Sequence, residues 1–299
     1  MTTPKSRLSW DVLTGLPISV LVILPLVLAG LSSSSHAYAQ MTNVAHDGGS
    51  GSRAFNHLMR CALLVLSLSF AGNAATVTHR IATASTSNAT SYASGSFTPA
   101  AGDLLIAFVV ASDTVATGTM TDSQSLGFTK VTSALKNSSA DTVYAFVANA
   151  NAAASSMTVT FDCTGDAATG AIIFVASVSG ISRVGLNAIA QSAIQENQAS
   201  GTPAILFTNA VNTSNPTLGC VGNSTNPATL TPPTSWTEDA AGDTGYNAPA
   251  TGGEYVFRNS GFTSTTITWG GTSGSAFGGI ALEINASSPS HGLLTLGVG

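Results

Sequence analysis

Short apolar runs separated by turn-rich connectors make up most of the chain from about residue 76 onward. The runs are rich in β-branched and aromatic residues, and Gly, Ser, Thr, Asn and Pro cluster between them, which is typical of strands joined by tight turns. No segment has a sustained apolar period of 3.6 residues, and the longest helix candidate, 185–199, fits a strand and a loop equally well. The pattern therefore predicts an all-β protein. The clearest predicted strands are 103–112, 142–150, 156–163, 170–180, 203–211, 252–259, 264–271 and 278–284.

These predicted strands occur in two similar series, which is a weak internal repeat. The segment "DTVYAFV" (141–147) resembles "GGEYVFR" (252–258), with Tyr144 and Tyr255 at comparable places. We expect two similar half-units of four or five strands. Because neither half alone offers much apolar surface, we expect one sandwich domain whose sheets mix strands from both halves.

Aromatic residues recur at the same points of the two series. Phe128 and Phe161 are 33 residues apart, and so are Trp236 and Trp269. A large aromatic side chain buries about 150–250 Å², which matters in a core otherwise made of small and β-branched residues. An aromatic required at the same point of both halves is more simply a packing residue than a ligand platform.

Trp236 also allows a second interpretation, because it lies on the Pro-rich stretch "PPTSWTED" beside two carboxylates. A tryptophan with neighbouring acids is an arrangement found in sugar-binding sites and equally on a solvated sandwich edge. Under this alternative the candidate ligand-binding residues are Trp236, Glu238, Asp239 and Tyr246.

Two signal-like segments precede the predicted strands. Residues 1–40 contain basic residues, an apolar stretch and the small-residue site "AYA", and residues 41–75 repeat this arrangement with a cleavage point at Ala74. Either Met41 is the true start or the first segment is a retained anchor. Both apolar stretches are short of the roughly 20 residues of a membrane span. We expect export with cleavage near Ala74, and membrane contact only through an uncleaved N-terminal segment.

The expected mature chain is a β-sandwich domain, 76–286, followed by a tail, 287–299. Only 8% of all residues are charged, and beyond residue 75 the chain has five basic residues and twelve carboxylates. Nucleic-acid binding by phosphate neutralisation is excluded, because the domain has no basic patch. A surface of Ser, Thr and Asn offers hydroxyls and amides suited to contact with a glycan or a protein surface. The domain is also a candidate for homo-oligomerisation.

Cys163 and Cys220 are the two cysteines that remain after the expected cleavage. An exported chain reaches an oxidising compartment, where such a pair is a disulfide candidate. The bond would close a loop of 56 residues and would stabilise the fold by a few kcal/mol. Two separately buried thiols are the alternative.

Catalytic chemistry has few candidate residues in this sequence. His79 and His291 lie at the edges of the predicted domain with no histidine between them, which excludes Ser-His-Asp, Cys-His and His/Cys zinc sites inside it. The stretch 243–245 matches the short signature of aspartic proteases, but an Asp in a Gly-rich connector is typical of a turn. A glycosidase would need two facing carboxylates. The candidates are Glu238, Asp239, Glu254 and Glu283.

Four aspartates near predicted strand ends are candidate ligands for a structural Ca²⁺, which takes six to eight oxygen ligands in flexible geometry. Of these, Asp162 and Asp166 share the loop-like segment "DCTGD". Ordinary turn acids are the alternative, because the segment lacks the regular spacing of a calcium loop. The full set is Asp103, Asp122, Asp162 and Asp166. No other cofactor is expected.

Segments of both halves resemble a broad group of known modules. "AAGDLLIAFVVAS", the step "GFT" or "SWT", "TVYAFVANA" and "ATGAIIFVASVSGI" are similar to the GDLLvA…GWT… pattern of β-sandwich modules in secreted bacterial proteins and in phage tail and virion proteins. The resemblance covers about 93–285 and implies a jelly-roll-like two-sheet β-sandwich without a single activity. The chain departs from the group at Phe128, where the pattern has tryptophan, and in its cysteine pair.

Together these observations predict an exported, non-enzymatic surface or adhesion module, located outside the cell or on its surface, with carbohydrate as a candidate ligand. The alternative is a structural protein of a phage virion, a tail fibre or a head-decoration subunit. A secreted glycoside hydrolase is the second alternative. The signal-like segments favour the exported module, and the occurrence of the resembling modules in phages allows the virion protein.

Overall fold

The structure is a computed structural model that describes residues 74–112, 118–137, 140–163, 168–224, 230–238, 244–247 and 250–286, all within one compact unit, Ala71–Gly299. Most of these residues lie in strands, so the all-β prediction is confirmed. The only helical element in these ranges is a single 3-10 turn, Gly185–Ala188, and no helix there is long and apolar enough to cross a membrane. Most of the signal-like segments and the tail 287–299 lie outside the described residues.

Sixteen strands are described, eight in each half of the sequence. The first half contains β1 (Thr76–Ser85), β2 (Ser91–Ala93), β3 (Leu104–Ala111), β4 (Thr119–Asp122), β5 (Phe128–Asn137), β6 (Ala140–Ala148), β7 (Val159–Asp162) and β8 (Ala171–Ser179). The second half contains β9 (Ile189–Gln198), β10 (Ala204–Leu206), β11 (Thr217–Asn223), β12 (Thr237–Glu238), β13 (Thr244–Asn247), β14 (Ala250–Arg258), β15 (Thr266–Thr268) and β16 (Phe277–Ile284). The helix candidate 185–199 is therefore the 3-10 turn followed by β9.

Each half-unit builds its own sheets. Sheet 1 has the order β1-β8-β3-β6-β5, and sheet 2 has the corresponding order β9-β16-β11-β14-β12, with β13 also pairing with β14. A smaller sheet, β2-β7-β4, belongs to the first half, and β10-β15 belongs to the second. The two similar half-units are thus confirmed. The expectation that sheets mix strands from both halves is wrong, because strands close in sequence pair with each other first.

The sheets form layers. We call β2-β7-β4 outer sheet 1, because its Phe161 packs against Tyr144 of sheet 1 with ring centroids 5.2 Å apart. We call β10-β15 outer sheet 2, because its Ile205 reaches Gly279 on one face of sheet 2. The opposite face of sheet 2 packs on sheet 1. The sandwich is therefore confirmed but has two further outer sheets, while the jelly-roll assignment stays a prediction.

Aromatic rings join the inner faces of sheets 1 and 2. The Tyr255 ring on sheet 2 lies 5.6 Å from Phe108 and 6.0 Å from Phe174 on sheet 1. Such pairs contribute about 0.5–1.5 kcal/mol beyond the burial of their area. Val110 packs over Gly222, where an added Cβ would lie 2.7 Å from its Cγ1. The interface between the half-units is therefore closely packed and largely apolar, with the buried Lys136 Nζ donating across it to Thr251 Oγ1.

Tyr144 and Tyr255, which the sequence places at comparable points, lie on opposite faces of their sheets. Tyr144 faces outer sheet 1, whereas Tyr255 faces the interface between the half-units. Successive strand residues alternate faces, so an alignment shifted by one residue exchanges them. The correspondence of the two tyrosines is therefore wrong, although the strands that carry them, β6 and β14, do correspond.

Candidate functional site

Trp236 lies in the core of the second half-unit. Its backbone N–H donates to the Pro233 carbonyl over 3.0 Å, which fixes the turn before β12. The side chain is only 8% exposed and packs edge-on against Phe262, with ring centroids 5.2 Å apart and an interplanar angle of 84°. The packing interpretation of Trp236 is confirmed. A buried ring offers no open face to a sugar, so the ligand platform is not found here.

Trp269 is also a core residue and is 1% exposed. Its ring lies over Gly219 of β11, where an added Cβ would come within 2.7 Å of the indole Cη2. Its Nε1–H has no hydrogen-bond partner among the described residues. Trp269 therefore holds the second half-unit together by packing, as Phe161 does in the first.

The other predicted ligand-binding residues do not assemble with Trp236 into an exposed site. Glu238 is half-buried on β12 and lies opposite Val256 of β14. The backbone of Tyr246 pairs with Thr251, but its side chain lies outside the described part of the chain. Asp239 also lies outside it.

Glu283, one of the carboxylate candidates, is buried and fully engaged. Its Oε2 accepts from Gln191 Nε2 over 2.6 Å. Its Oε1 accepts from the Asn212 backbone N–H over 2.9 Å and from Asn215 Nδ2 over 2.6 Å. These bonds anchor the loop before β11, which gives Glu283 a structural task.

The three described glycosidase candidates do not form an accessible facing pair. Glu283 lies opposite Thr217 of β11, and Glu254 lies opposite Val221 of the same strand. These two positions are four residues apart, which separates Glu283 from Glu254 by about 13 Å along the strand direction. Facing catalytic carboxylates are about 5–9.5 Å apart. Glu238 is closer to Glu254, as a diagonal neighbour across β12 and β14, but Glu254 is fully buried and out of reach of a substrate.

Two of the four calcium candidates are occupied by donors of the chain itself. Asp103 accepts from Arg80 and from the Ala100 backbone N–H. The Asp122 carboxylate accepts three backbone N–H groups of the following turn, at 2.8, 3.0 and 3.1 Å. Asp162 ends β7, Asp166 lies outside the described ranges, and within those ranges no three His, Cys, Asp or Glu residues are grouped as metal ligands. The calcium hypothesis stays a prediction.

Cys163 and Cys220 are both buried thiols, and no disulfide joins them in the structure. The Cys163 Sγ–H donates to the Ala89 carbonyl over 3.7 Å, at the end of outer sheet 1. Cys220 lies in the middle of β11, with sheet 1 between it and outer sheet 1. Packed layers are about 10 Å apart, whereas a disulfide needs Cα atoms within about 7 Å. The predicted bond is therefore not formed in this arrangement.

His79 lies inside the interface between the half-units rather than at an exposed edge. Its ring is 5.8 Å from that of Tyr255, and its Nδ1 has no hydrogen-bond partner among the described residues. Burial lowers the pKa of His79 below its ordinary value of 6.5, because the charged imidazolium loses its hydration. His79 is thus a neutral packing residue near neutral pH.

A polar cluster that the sequence analysis missed closes one end of sheet 1. Arg80 donates through Nε to Ser177 Oγ over 2.7 Å and through Nη2 to Asp103 Oδ2 over 2.9 Å. Asp103 immediately precedes β3 and is 2% exposed. The signal in the sequence was the acid of "GDLL" directly before an apolar strand, which needs a donor when that strand is buried.

The second half-unit has a matching polar cluster, in which the carboxylate lies on a different strand. Glu283 on β16 pairs with Thr217 at the start of β11, as Ser177 on β8 pairs with Leu105 at the start of β3. The Glu283 carboxylate therefore takes the position of the Ser177 hydroxyl. Asn215, two residues before Thr217, then stands where the first half has Asp103, two residues before Leu105. Gln191 donates to Glu283 from β9, the strand that corresponds to the strand of Arg80. The two half-units thus keep the same hydrogen-bonded corner while exchanging the residues that form it.

The outward face of outer sheet 1 presents two rows of mostly polar side chains. In register across three strands, one row is Ser91, Asp162 and Thr119, and the next is Ala93, Thr160 and Thr121. The alternate residues, such as Phe161 and Tyr92, point into the core. Adjacent strands lie about 4.8 Å apart, so the hydroxyls form a closely spaced patch. We call these six residues the hydroxyl face.

Comparison of the chain with protein-family models, curated proteins and solved structures finds no match. The resemblance to modules of secreted and phage proteins therefore stays a prediction. The function has to be argued from the chemistry of the described surfaces.

Proposed function

We propose that this protein is an exported, non-enzymatic surface module that binds an uncharged glycan through the hydroxyl face. The observation that carries the proposal is the in-register arrangement of Ser and Thr side chains on three paired strands. In the hydroxyl face, Ser91, Thr119 and Thr121 are exposed and Thr160 is half-buried. Strand-borne hydroxyls are held more rigidly than loop residues, so less freedom is lost when a ligand binds.

Each hydroxyl of this face both donates and accepts a hydrogen bond, as the hydroxyls of a sugar do. A net contribution of about 0.5–1.5 kcal/mol per bond means that several bonds together are needed for useful affinity. Asp162 adds a carboxylate acceptor to the face. Since the face contains no Lys or Arg, it favours neutral sugars over phosphate or sulfate groups.

The remaining charges support the same ligand class. Arg80 is bound to Asp103, Lys136 is buried, and Arg258 donates to the carbonyls of Ser260 and Gly261. These three cations are occupied within the fold, and Lys130 and Arg183 are the two exposed basic residues. Two exposed cations against twelve carboxylates offer an anionic polymer little complementary charge on the domain.

The topology supports an assignment of each half-unit to the jelly-roll class. The order β1-β8-β3-β6, with β2-β7-β4 packed outside it, is what two Greek keys wound into two sheets produce. Folds of this class bind many ligands, so the assignment supplies a scaffold and no ligand identity.

The export proposal comes from the two signal-like segments, 1–40 and 41–75. A glycan-binding module outside the cell would meet its ligand as part of a polysaccharide. The proposed role is therefore attachment to, or retention on, a polysaccharide.

The proposal is tested by binding of the secreted protein to a panel of neutral and anionic polysaccharides. The triple variant Thr119→Val, Thr121→Val and Thr160→Val removes three hydroxyls while keeping the β-branched shape. Loss of three hydrogen bonds should weaken binding by at least about tenfold with little change in Tm. The matched control is Thr266→Val with Thr268→Val on outer sheet 2, which should bind like the unmodified protein.

Equal binding by the triple variant and the unmodified protein would refute the hydroxyl face as the site. No binding to any neutral polysaccharide would refute the glycan ligand. Recovery of the intact chain inside virus particles would instead support the virion alternative.

A further inference from the structure

No hydrogen-bonded ladder joins the two half-units in the part of the chain that the structure describes. Every strand pair, and also every isolated bridge, joins residues of the same half. The halves meet by packing of their inner faces and by a few side-chain bonds. One such bond runs from the Val77 backbone N–H to Asn259 Oδ1 over 2.7 Å, and another from the Leu135 backbone N–H to Glu196 Oε1 over 3.1 Å.

The contacts between the half-units are reciprocal. β1 of the first half lies beside β13 of the second, and β9 of the second lies beside β5 of the first. Because β1 corresponds to β9, and β5 to the region of β12 and β13, this is the placement that an approximate two-fold axis produces. A first half-unit therefore fits the second half-unit of any copy of the chain equally well.

The covalent connection between the half-units is short. It runs from Gly180, at φ 72°, through the 3-10 turn Gly185–Ala188, where Gly185 has φ 58°. An added Cβ at Gly185 would lie 2.9 Å from Asn149 Oδ1, so the turn packs closely against the first half-unit. Two glycines of this connection have left-handed backbone conformations, and they regain conformational freedom when the connection becomes extended.

We propose that the inner face of each half-unit is a self-complementary interface through which two copies of this chain exchange half-units. The exchanged dimer contains the same inner-face contacts as the monomer and no new ones. It is favoured when chains fold close together, because each first half-unit then meets second half-units of its neighbours. The partner is thus a second copy of this chain, joined through extended connections at 180–188.

The test uses two preparations of the full chain, one unlabelled and one labelled with ¹⁵N, both carrying a protease site inserted between Ser182 and Arg183, which are exposed. They are unfolded, mixed and refolded at a series of concentrations. The ratio of dimer to monomer should rise about tenfold for each tenfold rise in concentration. Separately refolded preparations that are mixed afterwards are the control and should give no mixed species.

Cleavage of the connection then distinguishes exchange from ordinary surface association. An exchanged dimer should fall apart into particles of monomer size, and native mass spectrometry should find light and heavy halves in one particle. Two outcomes would overturn the proposal. One is the absence of dimer at every concentration, with the monomer refolded. The other is a dimer that keeps its size after cleavage, or one that separates into monomer-sized particles holding only matched halves.

Discussion

Arg80 and Asp103 form an ion pair, Nη2 to Oδ2 at 2.9 Å, that ties β1 to the start of β3 across the intervening β8. The Asp103 side chain is 3% exposed and that of Arg80 is 22% exposed, so the pair is only partly screened by water. The matching corner of the second half-unit uses Gln191 and Glu283 instead. The duplicated fold therefore requires a polar corner at this point, but not a particular pair of residues.

We expect a double-mutant cycle of Arg80→Met and Asp103→Ala to give a coupling energy of about 1.5–3 kcal/mol, the range for hydrogen bonds to charged groups. Urea unfolding of the four proteins measures it. The control cycle combines Asp103→Ala with Arg258→Met, because the bonds of Arg258 to described residues stay within its own turn. That cycle should be additive, and equal coupling in both cycles would contradict the assignment.

Trp236→Ala and Trp269→Ala should each lower the free energy of unfolding by about 3–5 kcal/mol, because each leaves a cavity in the core of the second half-unit. Thr237→Ala, at an exposed neighbouring position, is the control and should change it by less than about 0.5 kcal/mol. Chemical denaturation followed by fluorescence checks both values. A tryptophan variant as stable as the control would show that its ring is not packed as described.

Gly278→Ala should destabilise the fold by about 1–3 kcal/mol, since its new Cβ would overlap the Leu135 carbonyl oxygen of β5. The crossing is backbone against backbone, so no side chain can move aside. Gly274→Ala is the matched control, because nothing lies within 4 Å of a Cβ there. Tm values of the two variants decide the point, and an unchanged Tm for Gly278→Ala would contradict the close approach of β5 and β16.

His79 should make the protein less stable in mild acid. Its pKa is lower in the folded protein than its ordinary value of 6.5, so above that pH the imidazole is neutral in both states and the stability is fully present. As pH falls below 6.5 the unfolded chain binds the proton first, and stability decreases. His79→Phe should therefore reduce the loss of stability between neutral pH and mild acid, as measured by urea unfolding at several pH values. Identical pH profiles would show that His79 is not buried.

The strands that the sequence predicted include those whose apolar residues run without interruption, such as β3 and β8. β11 was missed because Gly219 and Gly222 interrupt its pattern. Both glycines are required by close neighbours, Trp269 on one face and Val110 on the other. A single strand pattern does not contain this information, since the neighbours come from distant parts of the chain.

The sequence also indicated the burial of Trp236 correctly, through the repeat, but could not indicate which sheets the strands join. Strand pairing depends on contacts between residues far apart in sequence, and a repeat is compatible with mixed or separate sheets. The hydroxyl face was missed for a related reason. Thr119, Thr160 and Ser91 come from three separate segments, and only the register of outer sheet 1 brings them together.

The proposed function depends first on export of the chain, and intact-mass spectrometry tests this most directly. The protein is expressed with its native N-terminus, and both the cell fraction and the medium are measured. We expect a released species that begins near Ala75 and that has the mass of two thiols, in agreement with the separate burial of Cys163 and Cys220. A full-length species that stays with cells or particles would contradict the exported surface module.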